Sequence, residues 1–229
     1  MKVSLVVFAI NEIDGLRAMM PKIKKDWYDE LIIVDGGSTD GSIEYARENG
    51  YDLFVQKEKG PGAAINEAVK KTTGDFVILY APDGSFEVER IPEITEKLKS
   101  GYDIVNVSRY YNGTKSFDDN IFTYIGNKTF TWLANCFTPF RFTDFLYTYV
   151  GFNKKLVSAL DVDTSMITWA QILMLRAIRN KYKIVEIPGT EYKRIGGQVK
   201  VPKIRTSWFI LYTILRETLF SKKDAPEIV

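Results

Sequence analysis

The chain has 229 residues, of which 45% are hydrophobic and 26% are charged, and its formal net charge is +2. This composition is typical of a globular protein with a buried core, and so balanced a charge argues against a nucleic-acid partner. The sequence contains no histidine and one cysteine, Cys136, which excludes histidine-based catalysis, histidine metal sites and an internal disulfide. Any chemistry therefore rests on carboxylates, Lys, Arg, Tyr, backbone amides or a metal held by oxygen.

Strands and helices alternate in the first half of the chain. Apolar runs rich in β-branched residues predict strands at 3–9, 31–35, 51–56, 75–80 and 103–108. Amphipathic segments between them predict helices, with Pro21 expected to interrupt the first and with the later ones at 41–49, 60–71 and 88–99. The alternation indicates an α/β fold, Rossmann-like, with a mostly parallel central sheet flanked by helices.

The second half of the chain has a different pattern. A polar stretch precedes an aromatic-rich segment, and we predict a helix at 120–137, a strand near 146–152, a helix at 166–180 and a strand at 182–187. The last apolar stripe predicts an amphipathic helix at 204–220. Because no linker separates two independent domains, we expect a single domain at 1–200, followed by the amphipathic helix and tail at 201–229.

Two segments bear on localisation. The apolar run at 3–10 is short and ends at polar residues, so it predicts a first strand rather than a signal peptide. No apolar window reaches the roughly 18 residues of a membrane span, and we expect a cytoplasmic protein. The helix at 204–220 places Trp208, Phe209 and Tyr212 among basic residues. It could lie on the inner face of an anionic membrane, or it could pack onto the domain or a partner subunit.

Asp35 directly follows the predicted strand and precedes two glycines, Gly36 and Gly37. In open α/β sheets, ligands bind at the carboxyl ends of the strands, where a carboxylate can accept hydrogen bonds from N–H or hydroxyl groups of a ligand. Flanking glycines would let the ligand approach the backbone closely. The alternative is that Asp35 only caps the helix that follows.

Two further features are expected at the same edge of the sheet. The segment Gly60–Ala64 opens a helix whose free N–H groups could face a phosphate. Asp83 follows the strand at 75–80 and could hold a hard divalent cation that bridges a diphosphate. Alternatively, Asp83 belongs to an ordinary Pro-Asp-Gly turn.

In their order and spacing, these segments resemble the family 2 glycosyltransferases of the GT-A fold. The resemblance rests on Asp83 and on residues 4–12, 34–42, 60–63, 74–75 and 107–110. Two later segments, 186–188 and 194–200, are similar to the branch of polyprenyl (dolichyl) phosphate mannose or glucose synthases. The resemblance implies transfer of a sugar, with inversion, from a nucleotide-diphosphate sugar to a lipid phosphate such as polyprenyl phosphate or to a glycan hydroxyl.

The resemblance also implies the residues of the donor site. Asp35 would hydrogen-bond the nucleotide base, and Asp83 would be a catalytic residue that contacts the ribose and diphosphate through Mg²⁺ or Mn²⁺. Ala81 stands where the family has the first acid of its Asp-x-Asp motif, so metal binding is expected to be weak or dispensable. The nucleotide-sugar pocket would comprise Ala9, Asn11, Glu12, Asp35, Gly60, Gly62 and Asp83.

On the acceptor side, the resemblance implies that Arg109, Arg194 and Lys200 bind phosphate, to which arginine presents paired donors. Solvated surface cations are the alternative. If the acceptor is a hydroxyl, Asp144 would be the catalytic base. A phosphate acceptor is already ionised near neutral pH, since its second pKa is about 6, and Asp144 would then orient or support the site. The segment 148–150 stands where the branch has Gly-Phe-Arg, so one arginine of that branch is missing.

Two other functions remain open from the sequence. A sugar nucleotidyltransferase shares a related architecture, but the segment 9–12 replaces the Gly-rich loop with Arg and Lys that such enzymes have after the first strand. A non-catalytic module that binds nucleotide sugars or glycans is favoured by Ala81, whereas Asp35, Asp83 and Arg109 argue against it. A homo-oligomer is compatible with each of these functions.

Overall fold

The computed structural model describes residues 1–58, 60–195 and 203–220 of the chain. Its strands are β1 Val3–Ala9, β2 Glu30–Asp35, β3 Asp52–Val55, β4 Phe76–Tyr80, β5 Ile104–Ser108, β6 Val150–Asn153 and β7 Ile184–Pro188. Within these described residues, the seven strands form one sheet in the order β3-β2-β1-β4-β6-β5-β7. All neighbouring strands are parallel except β6, which is antiparallel to β4 and β5. The prediction of a mostly parallel central sheet is confirmed.

The antiparallel direction of β6 follows from where the chain enters the sheet. Val150, the first residue of β6, lies opposite Asn106 in the middle of β5, and the preceding Tyr149 accepts from the N–H of Val107, closer to the carboxyl end of β5. The chain thus returns to the sheet from the edge at which β5 left it and must run in the opposite direction. The sequence pattern placed this strand near 146–152, whereas the paired residues begin four positions later.

Eight α-helices of the described residues surround the sheet: α1 Ile13–Met19, α2 Ser42–Glu48, α3 Pro61–Lys71, α4 Arg90–Lys99, α5 Ile121–Phe137, α6 Lys155–Ala159, α7 Trp169–Arg179 and α8 Lys203–Leu215. A π-helical turn, Arg216–Phe220, continues α8. As predicted, the first helix is interrupted at Pro21, which lies in a 3₁₀ turn, Met20–Lys22, directly after α1. At the start of α5, the Asn120 side chain accepts from the N–H of Thr123, whose hydroxyl in turn accepts from the N–H of Asn120.

Apolar side chains fill both faces of the sheet. On β1, Leu5 and Val7 pack in one cluster with α1 and α4, whereas Val6 packs in a second cluster with α3 and α7. Successive side chains of a strand point to opposite faces, so the alternation produces three layers, with helices on both sides of the sheet. Burial on both faces explains why the central strands appear in the sequence as continuous apolar runs.

The C-terminal helix packs onto this core along one side. Ile210 and Ile214 of α8 are buried in the same cluster as α7, and the hydroxyl oxygens of Thr213 and Thr168 are 2.7 Å apart. Trp208 on the other side of α8 is 69% exposed. The amphipathic character predicted for 204–220 thus corresponds to one packed face and one exposed face. The predicted boundary between 1–200 and 201–229 lies outside the described residues.

Glu217 anchors the end of this C-terminal segment. Its buried carboxylate accepts from Arg176 at 2.9 Å and from Arg216 at 2.7 Å. Burial raises the pKa of Glu217, but the hydrogen bonds and charges of the two arginines outweigh burial and hold the pKa below its ordinary value. Among the helices described, none combines the length and apolar character that crossing a membrane requires.

Candidate active site

The predicted donor-side residues reach one edge of the sheet because β2, β1 and β4 are parallel neighbours. Ala9 lies opposite Asp35 at the carboxyl ends of β1 and β2, and Asp83 follows the adjacent strand β4. Helix α1 begins directly against the loop that carries Asp83, since a Cβ added to Gly15 would lie 2.4 Å from the carbonyl oxygen of Pro82. Residues far apart in the sequence thereby meet at the edge where α/β proteins bind ligands.

Hydrogen bonds join the loops that follow β1 and β2. Asn11, in the left-handed region with φ of 51°, accepts from the N–H of Thr39 at 2.8 Å, and its own N–H donates to the hydroxyl of Ser38 at 2.8 Å. The N–H of Glu12 donates to the hydroxyl of Ser42 at 3.1 Å. Asn11 and Glu12 are therefore held beside the loop of Asp35.

Asp35 is fully buried, and its carboxylate organises its own loop. Oδ1 accepts from the N–H groups of Gly37 and Ser38 at 2.8 and 2.7 Å, and Oδ2 accepts from the hydroxyl of Ser38 at 2.7 Å. A carboxylate offers about four acceptor positions, and these bonds occupy most of them. The local role weighed as the alternative is thus present in the structure, whereas contact with a nucleotide base stays a prediction.

Asp83 forms an ion pair with Arg194. Oδ1 of Asp83 accepts from the N–H and hydroxyl of Ser85 at 2.9 and 2.6 Å, and Oδ2 lies 3.0 Å from Nη1 of Arg194. The side chain of Asp83 is 5% exposed and that of Arg194 is 35% exposed. A predicted metal-binding residue and a predicted phosphate-binding residue are therefore in direct contact.

The residues around Asp83 do not form a set of ligands for a resident divalent cation. Hard cations take about six oxygen ligands, usually including several carboxylates or carbonyls. Ala81 supplies no side-chain ligand, and both oxygens of Asp83 already have partners. No group of three or more acidic or sulfur ligands occurs in the part of the chain that the structure describes. The side chains present thus fit a guanidinium at Asp83 better than a metal.

A second charged cluster lies after β5 and contains Arg109, Asp144 and Glu191. Nε and Nη2 of Arg109 donate to the two carboxylate oxygens of Asp144 at 2.7 and 3.2 Å, and Nη1 donates to Glu191 at 3.1 Å. Arg109 is 7% exposed and Asp144 has no exposed surface. The acceptor-side residues are thus held as a buried, mutually satisfied group.

The pKa shifts in this cluster reflect burial and pairing. Burial lowers the pKa of Arg109, but the charge and hydrogen bonds of Asp144, together with the charge of Glu191, outweigh burial and raise the pKa above its ordinary value. Burial raises the pKa of Glu191 and the charge of Arg109 lowers it, and burial prevails. The roles predicted for Arg109 as a phosphate ligand and for Asp144 as a base stay predictions, and in this structure the two side chains bind each other.

Sequence reasoning missed the partners Glu191, Ser85 and Ser38. Glu191 follows β7, which pairs with β5, so an acid after a neighbouring strand was the signal that could have matched it to Arg109. Ser38 and Ser85 each lie two or three residues after an acid, a spacing at which hydroxyls commonly bond to Asp side chains in turns. These three residues complete the hydrogen bonds of the predicted site.

The remaining predicted residues lie further along the carboxyl edge of the sheet or outside the described residues. Gly60 and Gly62 begin α3, and a Cβ on Gly62 would lie 2.2 Å from the carbonyl oxygen of Thr164, so only glycine allows this approach. Both glycines line a cavity of about 220 Å³ that also includes Asn66 and Ser165. Lys200 lies outside the described residues.

A mostly parallel sheet that includes one antiparallel strand, with acidic loops and a buried charged cluster at its carboxyl edge, is the architecture of GT-A glycosyltransferases. The chain belongs to a family within that class, the glycosyl transferase family 2, whose family model matches residues 4–182. The match covers more than half of the chain and confirms the resemblance derived from its motifs.

Curated relatives support the polyprenyl-phosphate branch. A dolichol-phosphate mannosyltransferase of Pyrococcus furiosus is 29% identical over 213 residues, which cover 88% of this chain and 59% of that protein. A dolichyl-phosphate hexose transferase of Haloferax volcanii is 24% identical over 200 residues, which cover 86% of each. This chain therefore spans little more than half of the first relative and most of the second.

Solved structures confirm the fold. Glucosyl-3-phosphoglycerate synthase from Mycobacterium tuberculosis, in complex with Mn²⁺ and UDP-glucose, matches with a TM-score of 0.68 at 17% identity, covering 97% of this chain and 80% of that one. The same enzyme with Mg²⁺ and UDP matches with a TM-score of 0.67. At this level of identity the likeness establishes the GT-A architecture alone.

Proposed function

We propose that this glycosyltransferase moves a sugar from a nucleotide-diphosphate sugar to the phosphate of a polyprenyl-type lipid, with inversion at the anomeric carbon. The observation that carries the proposal is the pair of ion pairs at the carboxyl edge of the sheet, Asp83 with Arg194 and Arg109 with Glu191, which one short segment of the chain, 191–194, connects. The relatives named as dolichol-phosphate transferases support the choice of acceptor.

The donor binds, in this proposal, across the ends of β2, β1 and β4. Ala9, Asn11 and Glu12 line the nucleotide pocket. Asp35 hydrogen-bonds the nucleotide base, and its loop must move first because its carboxylate is buried. The N–H groups at the start of α3, where Gly60 and Gly62 lie, would add donors for a negatively charged group. Asp83 holds the guanidinium of Arg194, whose positive charge faces the diphosphate.

The nature of the acceptor follows from the state of Asp144. Its carboxylate is buried and accepts from Arg109 and from the N–H of Leu146, so it has no open path to the proton of a hydroxyl. A phosphate needs no such base because it is ionised near neutral pH, with a second pKa of about 6. The geometry therefore favours a lipid phosphate over a glycan hydroxyl, with Asp144 holding Arg109 in place.

A cavity next to Arg109 has the charge that such an acceptor requires. It measures about 290 Å³, and its charged lining residues are Lys115, Lys128 and Asp119, next to Tyr110. The ammonium nitrogen of Lys128 lies 4.5 Å from the centroid of the Tyr110 ring. Two lysines against one acid leave the lining with net positive charge, which suits a phosphate head group, and Arg109 and Lys200 would add to it beside the donor.

The reaction is a single displacement. A phosphate oxygen of the acceptor attacks the anomeric carbon, the bond from that carbon to the diphosphate breaks, and the nucleoside diphosphate leaves with the bonding electrons. Positive charge aimed at the leaving diphosphate is the main aid that the protein supplies. Binding of Mg²⁺ or Mn²⁺ at Asp83 stays a prediction, and no step is assigned to a metal.

We also propose peripheral contact with the membrane that holds the acceptor, at its cytoplasmic face. Trp208 and Tyr212 of the segment 204–220 are 69% and 54% exposed. Helix α5 adds exposed Ile121, Phe122 and Trp132, and its sequence carries Lys128 but no acid. The acid of the segment 204–220, Glu217, is buried. Exposed aromatic and aliphatic side chains near cations suit an anionic lipid surface. A second copy of the chain is the other partner that this face could take.

A transfer assay tests the proposed reaction. Radiolabelled UDP- and GDP-sugars are offered with dolichyl or undecaprenyl phosphate in detergent micelles, and label in the lipid fraction is counted. We expect transfer from one donor and a loss of about 100-fold in Asp83→Asn, with Asp118→Asn, an exposed Asp, as the matched control. Glycans are offered in a parallel reaction, and label that appears only on them would contradict the lipid acceptor. Undiminished transfer by Asp83→Asn would contradict the role of Asp83.

A further inference from the structure

This inference rests on the proposed function and concerns the cation that faces the diphosphate of the donor. Structures of the mycobacterial glucosyl-3-phosphoglycerate synthase, which shares this fold, hold Mn²⁺ or Mg²⁺ with UDP. In this chain Ala81 removes one acid, and Arg194 pairs with Asp83. We infer that the guanidinium of Arg194 takes the place of the divalent cation, so that the chain binds its nucleoside diphosphate without a metal.

The first support is the charge balance at Asp83. The residue is 4% exposed, and a buried carboxylate needs a compensating charge or several hydrogen bonds. Ser85 supplies two hydrogen bonds to Oδ1, and Arg194 supplies the charge at Oδ2. A metal would have to displace Arg194 and would then find a single carboxylate, since Ala81 offers no ligand. Arg194 and a metal would thus compete for the same carboxylate. The structure supplies the partner that Arg194 needs, but not the oxygen ligands that a metal needs.

The second support is that the backbone holds Arg194 in position. The segment 191–195 runs antiparallel to 83–86, with the N–H of Tyr192 donating to the carbonyl of Ser85 at 2.9 Å and the N–H of Ile195 donating to that of Asp83 at 2.8 Å. Gly84 has φ of +84°, and a Cβ there would lie 2.7 Å from the Ile195 side chain. Glycine at this position lets the two segments lie in contact, and Arg194 is thereby placed over Asp83 before any ligand arrives.

The third support is the chemistry of the guanidinium. It is permanently charged and carries five N–H donors in one plane. Nη1 contacts Asp83, and the side chain is 35% exposed, so part of it can also reach a ligand. Arginine binds phosphate oxygens through pairs of parallel hydrogen bonds. The positive guanidinium of Arg194 would then lie between the negative Asp83 and the negative diphosphate, as a metal bound by a carboxylate would.

Isothermal titration calorimetry, which measures the Kd of UDP and of GDP in a buffer with EDTA and in a buffer with Mn²⁺, tests this inference. For the wild-type chain we expect Mn²⁺ to change the Kd of the bound nucleotide by less than about threefold. Arg194→Met should weaken binding in EDTA by about tenfold or more, as expected for loss of hydrogen bonds from a charged group, and Mn²⁺ should restore part of the loss because Asp83 is then free to bind it. Arg194→Lys should keep most of the affinity in EDTA.

Lys193→Met is the matched control, since it removes the same charge from the neighbouring exposed residue and should leave the Kd unchanged. The inference is overturned if the wild-type chain binds at least about tenfold more tightly with Mn²⁺ than in EDTA. It is also overturned if Arg194→Met binds as tightly as the wild-type chain in EDTA. Failure of both nucleotides to bind in either buffer would instead contradict the donor site, and with it the proposed function.

Discussion

At the scale of single residues, Asp144 and Arg109 hold each other inside the protein. Replacement of Asp144 by asparagine would leave the buried guanidinium of Arg109 with Glu191 as its remaining charged partner. We expect Asp144→Asn to lower the free energy of unfolding by about 3 kcal/mol, because breaking a buried ion pair leaves an uncompensated charge. Urea denaturation followed by circular dichroism measures this change.

Asp118→Asn makes the same chemical change at an exposed position and should alter the free energy of unfolding by less than about 0.5 kcal/mol. An Asp144→Asn variant as stable as the wild-type chain, but inactive in transfer, would contradict the supporting role. That outcome would return Asp144 to the role of catalytic base.

The sequence placed acids at the carboxyl edge of the sheet, but it did not show which charged residues pair there. Apolar runs show where strands end, so Asp35 and Asp83 could be placed at the carboxyl edge from local pattern alone. Arg109 pairs with Glu191 across 82 positions of the chain, and this contact depends on β5 lying next to β7. Short-range periodicity does not contain that information, and so the ion pairs of the predicted phosphate ligands Arg109 and Arg194 were not foreseen.

At the scale of the element, Glu217 fixes the C-terminal helix to α7. Because the folded-state pKa of Glu217 is held below its ordinary value, the ion pairs with Arg176 and Arg216 stabilise the fold above the unfolded pKa of about 4.3. This contribution is lost as the pH falls through the lowered folded-state pKa. We expect Glu217→Gln to cost about 3 kcal/mol at pH 7, and the difference from the wild-type chain should shrink below about pH 4.

Thermal or urea unfolding of both chains between pH 3 and pH 7 measures this difference. Glu96→Gln, in the surface helix α4, is the control and should show no comparable pH-dependent difference. A gap between Glu217→Gln and the wild-type chain that stays constant down to pH 3 would show that the Glu217 charge does not hold the helix.

Elements differed in how well the sequence predicted them, and the reason is the range of the interactions involved. The end of α1 before Pro21 was predicted because proline acts on its own turn of helix. The direction of β6 was not, because it depends on the edge at which the chain re-enters the sheet after α5. The exposed face of α8 was expected from periodicity, but its anchor at Glu217 was not, since Arg176 lies 41 positions away.

At the scale of the whole molecule, the exposed faces of α5 and α8 carry aromatic side chains that the core does not use. If this surface contacts an anionic membrane, replacing Trp208 and Tyr212 with serine should weaken binding to vesicles by about tenfold, since each side chain is more than half exposed. Binding of the wild-type chain should also weaken as salt is raised, because salt screens the attraction of the lysines and arginines to anionic lipid. Sedimentation with vesicles containing phosphatidylglycerol measures both effects.

Val55→Ser, at the opposite end of the sheet in β3, is the control because this valine is also exposed, at 41%. Vesicle binding that is equal for the double variant, the control and the wild-type chain would contradict membrane contact through α8. Dimerisation of the wild-type chain that the double variant loses would assign the same face to a second copy.

The central claim is that the carboxyl edge of β2, β1 and β4 is a site for a nucleotide-diphosphate sugar. A thermal-shift series with UDP, GDP, ADP, CDP and dTDP, and with their sugars, tests it directly, with Asp35→Asn measured alongside. We predict that one base raises the melting temperature of the wild-type chain in a saturable way, by the equivalent of about 2.7 kcal/mol at a free concentration of 100 Kd, and that Asp35→Asn loses this selectivity. The absence of a shift with every nucleotide at millimolar concentration would contradict the claim.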